Sequence, residues 1–439
     1  MPQRPMGASE LRRARSEEPV EVRVEAPSAA QVEPASFRHS PGFLLFVLTF
    51  VGAINWADRQ VVPILFPGIR AELGLSDTEL GVVGGLAFSL IYAISAFFFG
   101  RAADRAIRRN VIAVGLIAWS AATAAGAFAA GFGSLFAARF FTGIGEASLY
   151  PAAMSLLAER YPGANRGRAM GIFGSASALG GGLGIGLGGM IAQAFGWRSV
   201  FLIYGLAGVL VLPLLLSLPE PPRTTLAASP ESAPKTLMGF LRDRRLLLLW
   251  AAGTVMMASG FGFSTWAPSF FVRIRGIDVS AAGQIFGLSI LIGGVAGSLL
   301  GGVLADRGRK RRLAGELDVA AIAGLISAPL AFATLVVAWM PAYVFFALLC
   351  PVMIFAFFPS LQTMTLHIVP SHHHGLAYAL NMLFLAGIGI ALGPFIVGAL
   401  SDAFGLHAAM FVPVIGMIIA AVLIALTGRA VRAEAARAA

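Results

Sequence analysis

Charged residues are scarce in this chain, and cysteine is almost absent. Asp, Glu, Lys and Arg make up 12% of the 439 residues, whereas soluble domains carry about 25%. The one cysteine, Cys350, cannot form an internal disulfide, and we expect it to pack as a small apolar residue. Since 57% of the residues are hydrophobic, these shortages together argue against a soluble domain.

Long apolar stretches take the place of the missing charge. Runs of about 20 residues, the length of a helix that crosses a bilayer, recur between short polar or Gly- and Pro-containing joints. We expect an all-α integral membrane protein with twelve transmembrane helices in two six-helix halves. The apolar segments start near Phe43, Leu80, Val111, Leu135, Arg168, Ser199, Leu246, Ala281, Leu313, Ala342, Gly375 and His407.

The basic residues indicate how the chain is oriented. Most of the 32 Lys and Arg residues fall in the N-terminal tail, in alternate loops and at the C-terminus. The exceptions are Arg59, Arg70, Arg139, Arg198, Arg273 and Arg275. Because cytoplasmic loops carry the excess of Lys and Arg, both termini are predicted to be cytoplasmic. The net charge of +10 then reflects topology, and no nucleic-acid partner is expected.

Composition divides the chain into five parts. Residues 1–41 lack an apolar signal-peptide core and are predicted to form a disordered cytosolic tail. The stretch LPEPPRTTLAASPESAPKT at 218–236 has the composition of a linker. We therefore expect six-helix halves at 42–218 and 246–428, a cytosolic linker at 219–245 and a cytosolic tail at 429–439.

Two loops repeat one pattern at corresponding places in the halves. GRAADRAIRR (100–109) follows the second segment, and GGVLADRGRKRR (301–312) follows the eighth. Both resemble the signature loop of the major facilitator superfamily, Gly-x-x-x-Asp-Arg-x-Gly-Arg-Arg, although Ile107 and Arg309 stand where that pattern has Gly. The resemblance implies a rocking secondary transporter with its substrate site between the halves. It also implies a gating role for Asp104, Arg105, Arg108, Asp306 and Arg307, whose basic members have topology anchoring as their alternative role.

Two further stretches resemble the Spinster branch of that superfamily. They are NWADRQVVPILFPGIRAELGLSDTELG (55–81) and ARFFTGIGEASLYPAAMSLLAERYP (138–162). The branch has an Asp-Arg pair in helix one and Arg-x6-Glu-Ala in helix four, and its animal members are linked to export of sphingosine 1-phosphate or lysophospholipids. Organic-anion and sugar-acid symporters share Asn-x-x-Asp-Arg and Gly-x-Gly-Glu-Ala, so they remain the competing relatives.

Four charged residues lie inside apolar segments: Asp58, Arg59, Arg139 and Glu146. By residue rise, Asp58 and Glu146 lie about 15 and 17 Å from the outer boundary, at similar depth. An ionisable group at mid-membrane costs about 2.5–3.5 kcal/mol by insertion scales, which makes it a candidate functional group. Our hypothesis is that protonation of either acid releases an arginine and changes which side can open. The alternative is a static ion cluster that only fixes helix packing.

The C-terminal half contains no ionisable residue at mid-depth, so its cavity is expected to be neutral. The predicted substrate-cavity residues are Trp56, Thr265, Trp266, Phe358, Gln362 and Asn381, with ordinary helix packing as the alternative for each. His372–His374 are interpreted as a polar loop, with pH sensing as the alternative.

These observations predict a secondary transporter that works by alternating access. It is expected to be a monomer in a bacterial inner membrane, coupled to protons and moving an amphipathic molecule of sphingolipid or lysolipid type. The alternatives are a proton-coupled organic-anion or sugar-acid symporter, a drug exporter and, more remotely, a membrane receptor. No enzyme activity, no metal and no cofactor other than the proton are expected, because the sequence shows no nucleophile–base set or metal-ligand cluster.

Overall fold

Apolar helices account for almost all of the chain that can be described. The structure is a computed structural model that describes residues 40–438 apart from 162, 164, 222–232 and 371–372. The predicted N-terminal tail up to residue 39 and much of the predicted linker lie outside the described residues. Ten of the described helices are long and apolar enough to cross a membrane. The other two membrane helices are Arg108–Gly126, which starts with three polar residues, and Phe132–Glu146 with Leu149–Arg160, which is interrupted.

The N-terminal half contains six of these helices. They are α1 (Pro41–Leu73), α2 (Asp77–Arg105), α3 (Arg108–Gly126), α4 (Phe132–Glu146 and Leu149–Arg160), α5 (Asn165–Phe195) and α6 (Trp197–Leu216). Ser40 caps the start of α1 by accepting from the Phe43 N–H, and Gly74 ends it with a φ of 66°.

The C-terminal half contains the other six, after a short helix at Ala233–Phe240. They are α7 (Arg244–Arg273), α8 (Val279–Arg311), α9 (Gly315–Val336), α10 (Met340–Ile368), α11 (His374–Met382 and Ile390–Phe404, joined by the π-helix Leu383–Gly389) and α12 (Leu406–Arg437). The predicted C-terminal tail is therefore helical where it is described. Ion pairs from Arg432 to Asp318 and from Glu434 to Arg245 hold this last stretch against the half.

The two halves share one packing plan. Helix α1 packs on α5 as α7 packs on α11, and α3 packs on α4 and α6 as α9 packs on α10 and α12. Between the halves, α2 packs on α11 and α5 packs on α8. We call the end of the bundle with Arg105 and Arg307 the basic face and the opposite end, with Gly74 and Asp77, the distal face. Helices that are consecutive in sequence run in opposite directions between these two faces.

Glycines set the distance between α4 and its neighbours. A Cβ at Gly143 would lie 2.9 Å from the Phe88 carbonyl oxygen on α2. A Cβ at Gly145 would lie 2.6 Å from the Trp119 nitrogen on α3. Only small residues allow backbones to approach this closely. The Gly-x-Gly-Glu pattern therefore brings Glu146 close to the centre of the half.

A methyl group at Gly145 should loosen this packing. We expect Gly145→Ala to lower the unfolding free energy by about 1–3 kcal/mol, the usual cost of overpacking, because the Cβ would meet backbone atoms that cannot rotate away. The measurement is thermal unfolding in detergent, followed with a dye that becomes fluorescent on reaction with the buried Cys350 thiol.

Gly171→Ala is the matched control, since nothing lies within 4 Å of a Cβ at that position. Its melting temperature should be unchanged or slightly raised by the better helix propensity of Ala. Equal melting temperatures for the two variants would contradict the packing argument.

Candidate functional site

The four predicted membrane charges converge in the N-terminal half. Asp58 and Arg59 lie at the middle of α1, and Arg139 and Glu146 lie on α4. The side chains of Asp58 and Arg139 are 2% exposed and that of Glu146 is fully buried, whereas Arg59 retains 11% exposure. The structure thus joins all four in one buried cluster, with Arg59 as its most accessible member.

Arg59 and Glu146 form the tighter of two ion pairs. Arg59 Nε and Nη2 both donate to Glu146 Oε2, at 3.2 and 3.0 Å. The guanidinium carbon also lies over three aromatic rings, those of Trp56, Phe88 and Tyr92, at 4.7, 4.6 and 4.3 Å from their centroids. Cation–π contacts of this kind strengthen when water is excluded. Arg59 is therefore held by charge on one side and by aromatic faces on the others.

Asp58 and Arg139 form the looser pair. Arg139 Nη1 lies 3.6 Å from Asp58 Oδ1, too far for a strong hydrogen bond. The other carboxylate oxygen of Asp58 accepts a hydrogen bond from the Thr123 hydroxyl on α3. Arg139 also lies 5.0 Å from the Phe88 ring, so this one ring contacts both arginines. Asp58 is thus compensated mainly by charge and less by direct donors.

Several polar atoms in and beside the cluster are buried and have no hydrogen-bond partner among the described residues. They are Asn55 Oδ1 and Nδ2, Asp58 Oδ1, Arg139 Nε and Nη1, and Glu146 Oε1. An unpaired buried polar group costs about 1–3 kcal/mol. The direct contacts within the cluster leave some of its polar atoms without a partner in the described part of the chain. The cluster therefore has donors and acceptors that remain available for other partners.

The residues predicted to line a substrate cavity occupy different environments. Trp56 adjoins the cluster and donates to the Tyr150 hydroxyl at 2.5 Å. Trp266 is fully buried, and Thr265 packs against α2, 3.4 Å from the Cβ position of Gly84. Asn381 is buried at 1% exposure. The two others, Phe358 and Gln362, are half-buried and exposed, respectively.

The predicted gating residues lie at the basic face. Arg108 is buried and forms ion pairs with Glu159 and Glu220, both at 2.7 Å, so it connects helix ends within one half. Asp306 pairs with Arg309 on its own helix at 3.3 Å. The remaining three, Asp104, Arg105 and Arg307, are exposed at the ends of α2 and α8.

The histidine loop is only partly described. His372 lies outside the described residues. Next to it, the His374 ring nitrogen lies 3.0 and 2.9 Å from the carbonyl oxygens of Leu366 and Val369 at the end of α10. His373 stacks edge-on against Phe240. His374 therefore packs against the end of α10, and His373 contacts the short helix.

Sequence reasoning missed an ionic contact between the halves at the distal face. Asp77 at the start of α2 accepts two hydrogen bonds from Arg273 at the end of α7. Asp402 near the end of α11 accepts from the backbone N–H groups of Asp77 and Thr78. A signal existed: Arg273 is one of the few basic residues on the side that otherwise lacks them, although nothing in the sequence links it to Asp77.

The comparisons with known proteins agree with this architecture. The family model described as Major Facilitator Superfamily matches residues 48–386. An MFS-type efflux pump of Mycolicibacterium smegmatis is 32% identical over 385 residues, covering 86% of this chain and 89% of that protein. A probable galactarate/D-glucarate transporter of Bacillus subtilis is 30% identical over 332 residues, covering 68% of this chain and 72% of that protein.

The fold is also shared with a solved structure. A bacterial homologue of the human lysosomal transporter Spinster, in an inward-facing and unoccupied conformation, superposes with a TM-score of 0.79 at 23% identity. The alignment covers 89% of this chain and 97% of that one. The family predicted from the signature loops, the Spinster resemblance and the helical membrane fold are thereby confirmed. The chain belongs to the Major Facilitator Superfamily of secondary transporters.

Proposed function

We propose that this transporter is coupled to protons and moves an amphipathic, lipid-like molecule across a bacterial inner membrane by alternating access. The basic face is the cytoplasmic one, because it carries the excess of Arg and Lys. The observation that carries the proposal is the pairing of two acids with two arginines in one half, at the centre of the membrane. Intramembrane acids of this kind are typical of proton relays.

The looser ion pair is the proposed entry point for the proton. Arginine keeps its proton in proteins, so only Asp58 and Glu146 can change charge. Glu146 receives two hydrogen bonds from Arg59, whereas Asp58 receives one from Thr123 and faces Arg139 at 3.6 Å. Fewer donors stabilise the ionised form of Asp58, which favours its protonation first.

Protonation of Asp58 leaves a charge that the half must compensate. A neutral Asp58 no longer balances Arg139, whose side chain is 2% exposed and has two nitrogens without acceptors. A buried charge without its partner is strongly destabilising. Arg139 must then either pair with Glu146, which lies seven residues away on the same helix face, or become hydrated from the side that opens. Either response changes the packing of α1 against α4.

The two halves supply different surfaces to the substrate. Hydroxyl groups that face the middle of the C-terminal half donate to backbone carbonyls: Thr254 to Phe384, Ser264 to Phe261 and Thr363 to Pro359, at 3.1, 3.3 and 2.9 Å. These three hydroxyl donors are therefore already occupied. An amphipathic molecule suits this division, with its polar group toward Arg59 and Trp56 and its apolar part along the C-terminal half.

A sugar acid or other organic anion is the second candidate substrate. The transporter of Bacillus subtilis that is 30% identical over 332 residues supports it, and Arg59 is the most accessible member of the charge cluster. A carboxylate would have to replace Glu146 as the partner of Arg59. Under this alternative, D-glucarate should protect Arg59 against an arginine-directed reagent.

The two candidates predict different ligands in a thermal-shift comparison. We expect a lysophospholipid to raise the melting temperature of the purified protein and D-glucarate to leave it unchanged, since a ligand stabilises only the state that binds it. Measurements at two pH values show whether binding and protonation are linked. A shift with D-glucarate alone would replace the lipid-like substrate with the organic anion.

Proton coupling is tested in proteoliposomes that contain a pH-sensitive dye. With Asp58→Asn, we expect lysophospholipid-driven proton movement to fall to the level of protein-free vesicles, because the amide cannot exchange the proton. Glu146→Gln should reduce it as well, and Glu72→Gln, which alters an ion pair with the half-exposed Arg198, should not. Full proton movement in both cluster variants would contradict the proposed coupling.

The strength of the central pair can be measured with a double-mutant cycle. The variants are Arg59→Gln, Glu146→Gln and their combination, and the observable is the free energy of unfolding in detergent. We expect a coupling energy above the 0–1 kcal/mol typical of exposed pairs, because each single change leaves an uncompensated buried charge. The matched cycle on Arg198 and Glu72, at 35% and 50% exposure, should stay within that range. Equal coupling in both cycles would contradict the geometry.

A further inference from the structure

We propose that Asp77, Arg273 and Asp402 form a latch that holds the distal side of the transporter closed. The latch rests on the alternating access proposed above and adds to it the residues whose separation opens the distal side. None of the three was among the predicted site residues. They come from α2, α7 and α11, so the latch joins the two halves directly.

The first part of the latch is the carboxylate of Asp77, which belongs to the N-terminal half. It accepts from Arg273 Nη1 at 2.8 and 2.9 Å and from the Ser401 hydroxyl at 2.5 Å, both in the C-terminal half. Arg70, in the same half as Asp77, has its Nε atom 3.2 Å from Asp77 Oδ1. The Asp77 side chain is 2% exposed. An acid buried to this degree requires its cations, so the closed contact is specific to charge.

The second part of the latch is the carboxylate of Asp402, which belongs to the C-terminal half and binds the start of α2 in the N-terminal half. Its Oδ1 accepts from the Asp77 N–H at 2.9 Å, and its Oδ2 accepts from the Thr78 N–H at 2.7 Å and the Thr78 hydroxyl at 2.5 Å. The first N–H groups of a helix have no partner within the helix and carry partial positive charge. Asp402 thus caps α2 from the other half of the protein, and each half contributes one acid.

An apolar layer lies directly beneath the ionic contacts. The rings of Phe66 and Trp266, one from each half, have centroids 5.3 Å apart. Trp266 Nε1 donates to the Pro394 carbonyl oxygen at 2.8 Å. A Cβ at Gly81 would lie 2.5 Å from that same oxygen. The backbones of α2 and α11 therefore meet only because position 81 has no side chain.

The chemistry of the latch suits repeated opening. Arg70 and Arg273 keep 45% and 24% of their side chains exposed while they bind Asp77. Their charges regain water as soon as the halves separate, so the open state leaves no cation buried. Ionic groups at the rim, unlike a larger apolar seal, can exchange their hydrogen bonds for hydrogen bonds to water when the halves separate.

Distances between spin labels on the two distal loops test the latch. Cysteines replace Ala130 and Ala338, which are exposed in the α3–α4 and α9–α10 loops, in a Cys350→Ala background. We expect Asp402→Asn and Arg273→Gln to raise the ratio of the longer distance to the shorter one by about tenfold or more, as loss of charged hydrogen bonds implies. Gly81→Ala should do the same by steric means alone.

Controls separate the latch from general loosening and from the proposed substrate. Glu72→Gln removes a charge on the distal face within one half, and Gly171→Ala adds a methyl group in open space; neither should change the distances. The measurement needs no substrate or pH gradient, so its outcome does not depend on whether the transporter is coupled to protons. Wild-type distances in folded Asp402→Asn and Arg273→Gln protein would overturn the latch, most decisively if Gly81→Ala lengthened them.

Discussion

The burial of charge at the centre of a membrane is the constraint on which the rest of this structure depends. Each ionised group there must find an opposite charge, since water is absent and the dielectric constant is low. The chain meets this requirement with two acids and two arginines on α1 and α4. Their net neutrality makes burial tolerable, but the unpaired oxygens and nitrogens show that neutrality does not mean complete satisfaction. A cluster balanced in charge but incomplete in hydrogen bonds has atoms that can bind a new partner.

Close helix packing is what makes this pairing possible. Glu146 reaches Arg59 because Gly143 and Gly145 let α4 approach α2 and α3 almost to backbone contact. The aromatic rings of α2 then surround the Arg59 guanidinium. The glycines of α4 thus place the charges of α4 in contact with their partners. A methyl group at Gly143 or Gly145 should disturb the Arg59–Glu146 pair without any change of charge.

Much of this was predictable from sequence, and the limit has a physical cause. Apolar runs and the repeated loops depend on local composition, so they predicted the helices and the family. The orientation that the placement of arginine indicates stays a prediction. Depth along a helix also follows from residue rise, and Asp58 and Glu146 were placed together on that ground. Which arginine pairs with which acid depends on helix rotation and crossing angle, and these arise only from packing. The latch was out of reach for the same reason: Asp77 and Asp402 are 325 residues apart, and each looks like an ordinary helix-end residue.

The central cluster and the distal latch are mechanically joined by α1 and α2. Phe66 and Arg70, which contact the distal barrier, lie eight and twelve residues beyond Asp58, about 12 and 18 Å along the same helix. Helix α2 likewise carries Asp77 at its distal end and Phe88, against both arginines, farther along. Pro63 and Pro67 in α1 and the π-helix Val82–Leu86 in α2 lie between the cluster and the latch, so they are the places where each helix can bend. In the proposed mechanism, protonation changes the ion partners at the centre and thereby moves the two helices whose ends form the proposed latch.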